Sequence, residues 1–114
     1  METLLNRHIG SFQDNDIDAV MSDYTDESVL VTADATYIGR ARIREFFAGL
    51  IPHFPKRGTT FVLDKMVVHP DVAFIVWHAD TPTLQVPLGS DTFVFKNGKI
   101  HRQTFVGQLR PMPG

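Results

Sequence analysis

The chain has 114 residues, enough for one domain with one core, and its 43% hydrophobic and 21% charged residues are typical of a globular protein. Its formal net charge is −2 at pH 7, and without a long basic stripe we expect no nucleic-acid binding by counterion release. The absence of cysteine excludes disulfides, thiolate catalysis and cysteine-ligated zinc, and no apolar run approaches the roughly 20 residues of a membrane span.

The start of the chain predicts two short helices. In residues 2–13, one helical stripe is formed by Leu4, Leu5, His8, Ile9 and Phe12. Asp14-Asn15-Asp16 interrupts this pattern, and Asn15 or Asp16 can cap the second helix. One apolar face of that helix contains Ile17, Val20, Met21 and Tyr24, and Asp26-Glu27-Ser28 is predicted to end it.

A strand or a short hairpin arm is predicted over residues 28–37, because these residues are β-branched or small. Gly39 then precedes a third helix, which Pro52 ends. The apolar face of this helix contains Ile43, Phe46, Phe47 and Leu50.

After Thr59 the periodicity changes from helical to extended. Strands are predicted at Thr60–Val68, Val72–Asp80, Leu84–Phe95 and Lys99–Leu109, followed by a loose tail at Arg110–Gly114. The near-continuous apolar character of Val72–Asp80 predicts a central strand buried on both faces. Pro87 and Gly89 favour a bulge in the next strand. This order predicts an α+β fold, with helices on one side of a mostly antiparallel sheet.

The last two long strands meet at Asn97-Gly98, which is the strongest short signal for a β-hairpin. Both central residues of a type I′ turn need positive φ, and these two residue types adopt it readily. In the strand before this turn, Asp91, Phe93 and Phe95 share one face. An acid among phenylalanines is either a poorly placed charge or a functional group, so Asp91 becomes the first candidate.

Four segments of the chain resemble the nuclear transport factor 2-like (NTF2-like) superfamily, also called SnoaL-like, which includes ketosteroid isomerase. They are the helix–turn–helix at Phe12–Val20, the acidic junction at Tyr24–Leu30, the third helix at Gly39–Phe47, and the terminal hairpin at Asp91–Phe95 with Asn97–Ile100. Because they occur in order over nearly the whole chain, residues 1–114 are identified as a single domain of this type. The resemblance implies a cone, in which a curved sheet wraps around three helices and leaves an apolar pocket in its concave face.

The resemblance places Asp91 where ketosteroid isomerase keeps a protonated acid in its oxyanion hole. Desolvation in an apolar site would raise the pKa of this carboxyl, and the neutral acid could donate a hydrogen bond to a substrate carbonyl. The alternative is that Asp91 caps a strand end or pairs with Arg102 across the hairpin.

Two further positions implied by the resemblance depart from the isomerase pattern. Its general base aligns with Thr32, which cannot be a base, although Asp34 lies two residues on and could supply the carboxylate. Otherwise Asp34 is a solvated turn residue. The phenol of the isomerase aligns with His8, which can move a proton near pH 7 or be a satisfied core histidine.

Strand alternation leaves the remaining candidates open. Either Trp77 gives the pocket an aromatic wall or His78 gives it a second acid or base. His101 and Gln103 are expected to share a face, with Gln103 inward beside Phe105. Tyr24 and Tyr37 could each donate a hydroxyl, or both could be packed.

We therefore expect a small, apolar carbonyl or aromatic compound to bind in the cone, and cofactor-free isomerase, aldol-cyclase or dehydratase chemistry. The catalytic candidates are Asp91, His8, Asp34 and His78. The ligand-binding candidates are Tyr24, Phe47, Trp77, Phe93, Gln103 and Phe105. The alternative is a non-catalytic ligand-binding or dimerisation module.

Other groups and partners are limited by the sequence. The scattered histidines and the lack of a phosphate-binding loop favour neither a metal nor a nucleotide cofactor. We expect a homodimer, since this is the commonest oligomer, and no membrane partner. The start of the chain has none of the features of a signal peptide, which predicts a cytoplasmic protein.

Overall fold

The computed structural model describes residues 1–112 of the chain. The helices are α1 (Glu2–Gln13), α2 (Ile17–Met21) and α3 (Arg40–Leu50), with a 3₁₀ turn at Ile51–His53. The strands are β1 (Tyr24–Thr32), β2 (Thr36–Ile38), β3 (Thr60–Val68), β4 (Val72–Asp80), β5 (Leu84–Lys96), β6 (Lys99–Gly107) and β7 (Arg110–Pro111).

One curved sheet has the strand order β2-β1-β6-β5-β4-β3, and β7 pairs with the start of β5. Among the strand pairs within residues 1–112, β1–β6 is parallel and the others are antiparallel. Apolar side chains of all three helices join those of the inner sheet face in a single core. This is the α+β architecture with a mostly antiparallel sheet that the sequence predicts.

Helices α1 and α3 confirm the predicted ones, but α2 is shorter than predicted. Tyr24, expected on the apolar face of α2, instead begins β1, so the early strand starts before residue 28. The cause lies in Asp23, whose side chain is completely buried. Its backbone carbonyl accepts a hydrogen bond from the amide of Ile100 at 2.8 Å, which attaches the chain to β6 directly after α2.

Strand β4 is buried on one face only, so the prediction of burial on both faces is wrong. Ala73, Ile75, Trp77 and Ala79 point into the core, whereas Phe74 on the other face is 37% exposed. On that outer face Val72, Phe74 and Val76 are apolar and His78 and Asp80 are polar, and no described element covers it. Trp77 therefore lies inside the cone and His78 outside it.

The β5–β6 hairpin confirms the predicted turn, with φ of 53° at Asn97 and 71° at Gly98. An irregularity in the register follows, between Val94 and Phe95. Because of it, Ile100 and Gln103 both point inward although they are three residues apart. Gln103 is inward as predicted, but His101 does not share its face.

The end of the described chain is more ordered than predicted. Arg110–Pro111 pairs with Leu84 and Gln85, and the amide of Met112 donates to the carbonyl of Thr83 at 2.9 Å. The prediction of a loose tail is therefore wrong for residues 110–112. Its last two residues, 113 and 114, lie outside the described part of the chain.

The predicted irregularity near Pro87 and Gly89 is confirmed by a register shift between β4 and β5. Gly89 pairs with Trp77, and a Cβ atom added to Gly89 would lie 2.4 Å from a carbon of the Trp77 indole. Only glycine leaves room for the ring at this point. The bulge and the glycine together fix where the indole lies in the cone.

We expect Gly89→Ala to destabilise the fold by about 1–3 kcal/mol, the usual cost of overpacking a core. The indole must move, which also changes its fluorescence. Denaturant unfolding monitored by tryptophan emission measures both effects. Gly10→Ala in α1 is the control, since its Cβ would meet nothing within 4 Å. A helical alanine should stabilise this variant by roughly 0.5–1 kcal/mol. Equal stability of the two variants would contradict the close approach at Gly89.

Candidate functional site

Helices α1 and α3 and the inner face of the sheet enclose a hollow of about 60 Å³. Three polar side chains line it: His8, Asp91 and Gln103. The apolar lining consists of Ile9, Phe12, Phe46, Phe47, Leu50, Phe61, Ile75, Trp77, Phe93 and Phe105. This composition is typical of a small-molecule site, but pockets for drug-sized ligands hold roughly 300–1,000 Å³. Without movement of its walls the hollow admits only a very small molecule.

The walls of the hollow are flat aromatic rings. Trp77 lies between Phe61 and Phe105, with ring centroids 5.2 and 6.1 Å away and interplanar angles of 30° and 12°. Phe12 and Phe61 also line a second hollow of about 200 Å³ on their other side. These two partly exposed rings therefore separate the two spaces.

Asp91 brings a carboxylate to this apolar space. Its side chain is 8% exposed, and both of its oxygens accept hydrogen bonds at 2.9 Å. The indole Nε1–H of Trp77 donates to Oδ1, and the amide Nε2–H of Gln103 donates to Oδ2. An indole N–H can only donate, so this bond requires an acceptor at Oδ1. The alternative pairing of Asp91 with Arg102 does not occur, since Arg102 donates to the backbone carbonyls of Glu27 and His101.

Burial raises the pKa of Asp91 to about 6, while the bonds from Trp77 and Gln103 and the charge of His8 act in the opposite direction. The direction agrees with the sequence-based expectation. At pH 7, however, a group with this pKa is mostly ionised. The geometry and the pKa therefore describe a buried carboxylate, which suits a base better than a neutral hydrogen-bond donor.

A line of buried hydrogen bonds continues from Gln103 to α1. The hydroxyl of Tyr24 contacts both Gln103 Oε1 and, at 3.2 Å, His8 Nε2. Nδ1 of His8 lies 2.9 Å from Oδ2 of Asp23, whose other oxygen accepts from the guanidinium of Arg7. Burial raises the pKa of Tyr24 well above its usual value, with a smaller contribution from the charges of Asp91 and Asp23.

Asp23 is ionised despite its burial. Burial alone would raise the pKa of this carboxyl, but the hydrogen bonds and charges of His8 and Arg7 hold it below the usual value. The α2–β1 junction thus places a stable negative charge behind His8. This fixes the orientation of the imidazole ring.

The structure brings together most of the side chains predicted for the pocket. Seven of them line the hollow: His8, Phe47, Trp77, Asp91, Phe93, Gln103 and Phe105. Tyr24 lies directly behind them, bonded to Gln103 and His8. Tyr37 packs against Phe46 instead, at a centroid distance of 5.2 Å.

Two of the catalytic candidates lie outside the hollow. Asp34 is exposed in the turn between β1 and β2. Its backbone amide donates a hydrogen bond to the Thr32 hydroxyl at 3.3 Å, and this hydroxyl donates to the carbonyl of Ala35. His78 points outward and pairs with Asp64 at 2.7 Å. Both assignments to the pocket are wrong, because the first residue lies beyond the end of its strand and the second on the convex face.

The sequence interpretation missed Asp23 and Arg7. Neither has a local signal, since an acid at the end of a helix and an arginine on an exposed helix face are common solvated residues. Only the turn of α2 into β1 brings Asp23 under α1, where it meets Arg7 and His8. The partly exposed rings of Phe12, Phe46 and Phe61 were also missed as lining residues.

Solved structures with the same fold share little sequence with this chain. A protein proposed as a polyketide cyclase from Sinorhizobium meliloti has a TM-score of 0.73 and 18% identity, covering 90% of this chain and 93% of that one. One proposed as a ketosteroid isomerase from Kribbella flavida has a TM-score of 0.77 and 12% identity, covering 98% and 82%. SalBIII, an epoxide hydrolase/cyclase-like enzyme of salinomycin pyran ring formation, has a TM-score of 0.78 and 16% identity, covering 94% and 89%.

The curved sheet with its helices on one side is the NTF2-like fold, as these similarities show. The SnoaL-like domain family matches residues 5–103, and the chain belongs to this family. No protein with a curated description matches the sequence. None of the helices in residues 1–112 has the length and apolar character needed to cross a bilayer.

Proposed function

We propose that the protein binds a small, largely apolar carbonyl or aromatic compound in the hollow and catalyses cofactor-free proton transfer on it. The observation that carries the proposal is the carboxylate of Asp91, 8% exposed and with its pKa raised to about 6, among aromatic side chains. A general base is most effective when its pKa lies near the working pH, and desolvation tunes carboxylates in this way.

In the proposed step, Asp91 takes a proton from the carbon next to a substrate carbonyl. The electron pair of the broken C–H bond moves into the carbonyl and forms an enolate. The amide of Gln103 has a second N–H, which bonds to no acceptor within residues 1–112 and can donate to the developing oxyanion. Asp91, now neutral, returns the proton to a different carbon in an isomerisation. In an aldol cyclisation the enolate attacks a second carbonyl, and the proton goes to the new alkoxide.

The family and the names of the structural relatives favour this class of chemistry. Ketosteroid isomerases and polyketide cyclases are enzymes that act at activated carbon, and proteins proposed to be of each kind have this fold. The size of the hollow argues against a steroid. We therefore place the substrate among small ketones, aldehydes or aromatic compounds.

The test is deuterium exchange at carbon in D₂O. Purified protein is incubated with a panel of small enolisable ketones and aldehydes, and loss of the α-proton signal is followed by NMR. Faster exchange than in buffer for at least one compound is expected. If compounds bind, as shown by quenching of Trp77, and none exchanges, the non-catalytic ligand-binding module becomes the correct reading.

We expect Phe12→Ala to widen the range of compounds that bind. Removal of this ring should join the hollow of about 60 Å³ to its neighbour of about 200 Å³. Since Phe12 is only partly buried, the loss of stability should stay below the roughly 3–5 kcal/mol of a fully buried phenylalanine. Binding of bicyclic aromatic compounds, measured by calorimetry, should appear in the variant. Unchanged size selectivity would contradict the role of Phe12 as a partition.

We also propose that a second copy of the chain covers the outer face of the sheet. Two rows of paired residues cross this face: Val67, Phe74, Thr92, Thr104 and Val31 in one, and Val72, Val94, Arg102, Val29 and Ile38 in the other. Monomeric proteins rarely expose apolar patches that extend this far. With Arg102 as the only charge in these rows, the same face of a second copy is a better partner than an oppositely charged surface.

The expected result is a dimer by light scattering, and Val106→Lys should shift it to monomer. Val106 lies on this face and is 58% exposed, so the substitution should cost little folding stability. Leu109→Lys adds the same charge after the end of β6 and should leave the dimer intact. A wild-type monomer at high concentration would refute the interface.

A further inference from the structure

The polar groups behind the hollow form one continuous hydrogen-bond chain, and their donors and acceptors limit where its protons can be. In order, its members are Asp23, His8, Tyr24, Gln103 and Asp91. Arg7 bonds to Asp23 at one end and Trp77 bonds to Asp91 at the other. All members of the chain from His8 to Asp91 are buried, so water cannot replace a missing partner without cost.

The two ends of the chain are fixed. An ionised carboxylate only accepts hydrogen bonds, so Nδ1 of His8 must donate to Asp23. An indole only donates, so Oδ1 of Asp91 must accept from Trp77. The hydrogen bonds between these ends can run in either donor–acceptor direction.

The middle of the chain has two consistent arrangements. Tyr24 has one hydroxyl proton and two neighbours, and it can donate to only one of them. In the observed arrangement it donates to Gln103 Oε1, and the amide then donates to Asp91. The oxygen of Tyr24 is left as an acceptor for His8, so Nε2 must also bear a proton and the imidazole is a cation.

In the reversed arrangement, a neutral His8 accepts from Tyr24 at Nε2. The oxygen of Tyr24 then needs a donor, so the Gln103 amide turns its NH₂ group toward it. The amide oxygen faces Asp91, which must be protonated to avoid two acceptors in contact. A mixed arrangement leaves a buried nitrogen or oxygen without a partner, which costs about 1–3 kcal/mol.

We infer that a protonated His8 holds Asp91 in its ionised form through Tyr24 and the orientation of the Gln103 amide. His8 and Tyr24 are then positioning residues that act through Gln103. The inference deepens and rests on the proposed function, because the observed arrangement keeps Asp91 ionised as a base. It also leaves the second N–H of Gln103 available to the oxyanion of the substrate. Reversal removes both groups from the reaction.

The groups that can influence this chain by charge are few. From α1 they are Arg7 and His8, from the α2–β1 junction Asp23 and Tyr24, and from β5 Asp91 itself. Within residues 1–112, the inner faces of β3, β4, β6 and α3 contribute only uncharged side chains to the hollow, among them Trp77 and Gln103. A change at Asp91 can therefore reach His8 in two ways, through the chain or directly through space.

Asp91→Asn separates the two arrangements, because asparagine imposes the reversed one. Trp77 still donates to the side-chain oxygen at position 91, which points the new NH₂ group at Gln103. The Gln103 amide must then present its oxygen, and its NH₂ group turns to Tyr24. Tyr24 donates to His8, and Nε2 loses its proton.

The measurement is ¹⁵N NMR of the His8 ring in the full, ligand-free chain at pH 7. In the wild type we expect protons on both ring nitrogens, and in Asp91→Asn a proton on Nδ1 only. The ratio of protonated to unprotonated Nε2 should fall by at least about tenfold, as expected for loss of one charge-assisted hydrogen bond. A neutral His8 in the wild type, or the same ring state in both proteins, would overturn the inference.

Tyr24→Phe distinguishes the chain from direct electrostatics. It removes the hydroxyl that joins His8 to Gln103 but keeps the ring and every charge. In this background Asp91→Asn should change the Nε2 ratio by less than about threefold, as for uncoupled sites. A change as large as in the intact chain would mean that coupling passes through space, and the inference would fall. Gln103→Met interrupts the chain at a different residue and serves if Tyr24→Phe does not fold.

None of these spectra requires a substrate. If the ring states change as expected but no carbonyl compound undergoes exchange, the chain stands and the proposed function fails. If exchange occurs and the ring state of His8 is independent of Asp91, the function stands and the chain fails.

Discussion

Asp91→Asn should lower the rate of α-proton exchange by about 10²–10⁴-fold, the usual contribution of a positioned general base. Asparagine has nearly the same shape and can still accept the bond from Trp77, but it cannot take a proton from carbon. Ligand binding should therefore persist while exchange is lost. Initial rates by NMR and binding by Trp77 fluorescence give the two quantities separately.

Asp34→Asn is the matched control for this variant. It makes the same chemical change at an exposed turn residue that the sequence also suggested as a base. Its exchange rate should equal that of the wild type. Loss of activity in Asp34→Asn, or retention of activity in Asp91→Asn, would show that Asp91 is not the base.

The pH profile of exchange provides a second check on the same group. Because only ionised Asp91 is a base, the rate should rise with pH and level off above a midpoint near 6, the pKa to which burial raises this carboxyl. Trp77→Phe removes a hydrogen bond that favours the charged form, so its midpoint should lie higher. A midpoint near the ordinary aspartate value of ~3.9 would mean that the carboxyl is not desolvated.

Local sequence patterns were sufficient for most of the fold. Helical periodicity located α1 and α3, and the Asn97-Gly98 pair located the hairpin and its turn type. The same periodicity failed at Tyr24, which fits the apolar face of α2 but belongs to β1. Periodicity describes one element at a time, and the contacts of buried Asp23 with α1 and β6 decide where α2 ends.

The candidate site was predictable where alternation along a strand is regular. Asp91 and Phe93 point inward because β5 is regular between them, and Gln103 was placed beside Phe105 for the same reason. A bulge next to the hairpin turned His101 away from that face, which no residue type in β6 announces. The choice between Trp77 and His78 needed the sheet itself, since apolar residues occur on both faces of β4.

The ionisation of Asp91 could not be read from the sequence. The apolar neighbours predict a raised pKa, and the structure agrees in direction. How far it rises depends on the two donors that reach the carboxylate, one from β4 and one from β6. Both donors act against the desolvation, and with its pKa at about 6 the group is mostly charged at pH 7, which changes its expected role from donor to base.

The folded protein should lose stability as the pH rises from about 4 to 6 because of Asp91. Its pKa is raised from 3.8 to about 6 on folding, so between these values the folded state binds more protons than the unfolded state. Stability therefore falls with rising pH in this window. A difference of about two pKa units corresponds to roughly 3 kcal/mol. Asp23 acts in the opposite direction, because its lowered pKa stabilises the fold until the pH falls through its folded value.

Asp91→Asn isolates the contribution of one carboxyl from that of the other. Relative to wild type, the free energy of unfolding of the variant should increase by about 3 kcal/mol between pH 4 and pH 7, because only the wild type loses this stability as Asp91 ionises. Denaturant unfolding of both proteins at several pH values gives this difference, and the shared contribution of Asp23 cancels. If the variant is more stable than the wild type at the pH values where Asp91 is ionised, the fold retains a buried charge that folding itself does not require. If the difference between the two proteins is the same at both pH values, Asp91 is not desolvated in the folded state, and the hollow holds no tuned base.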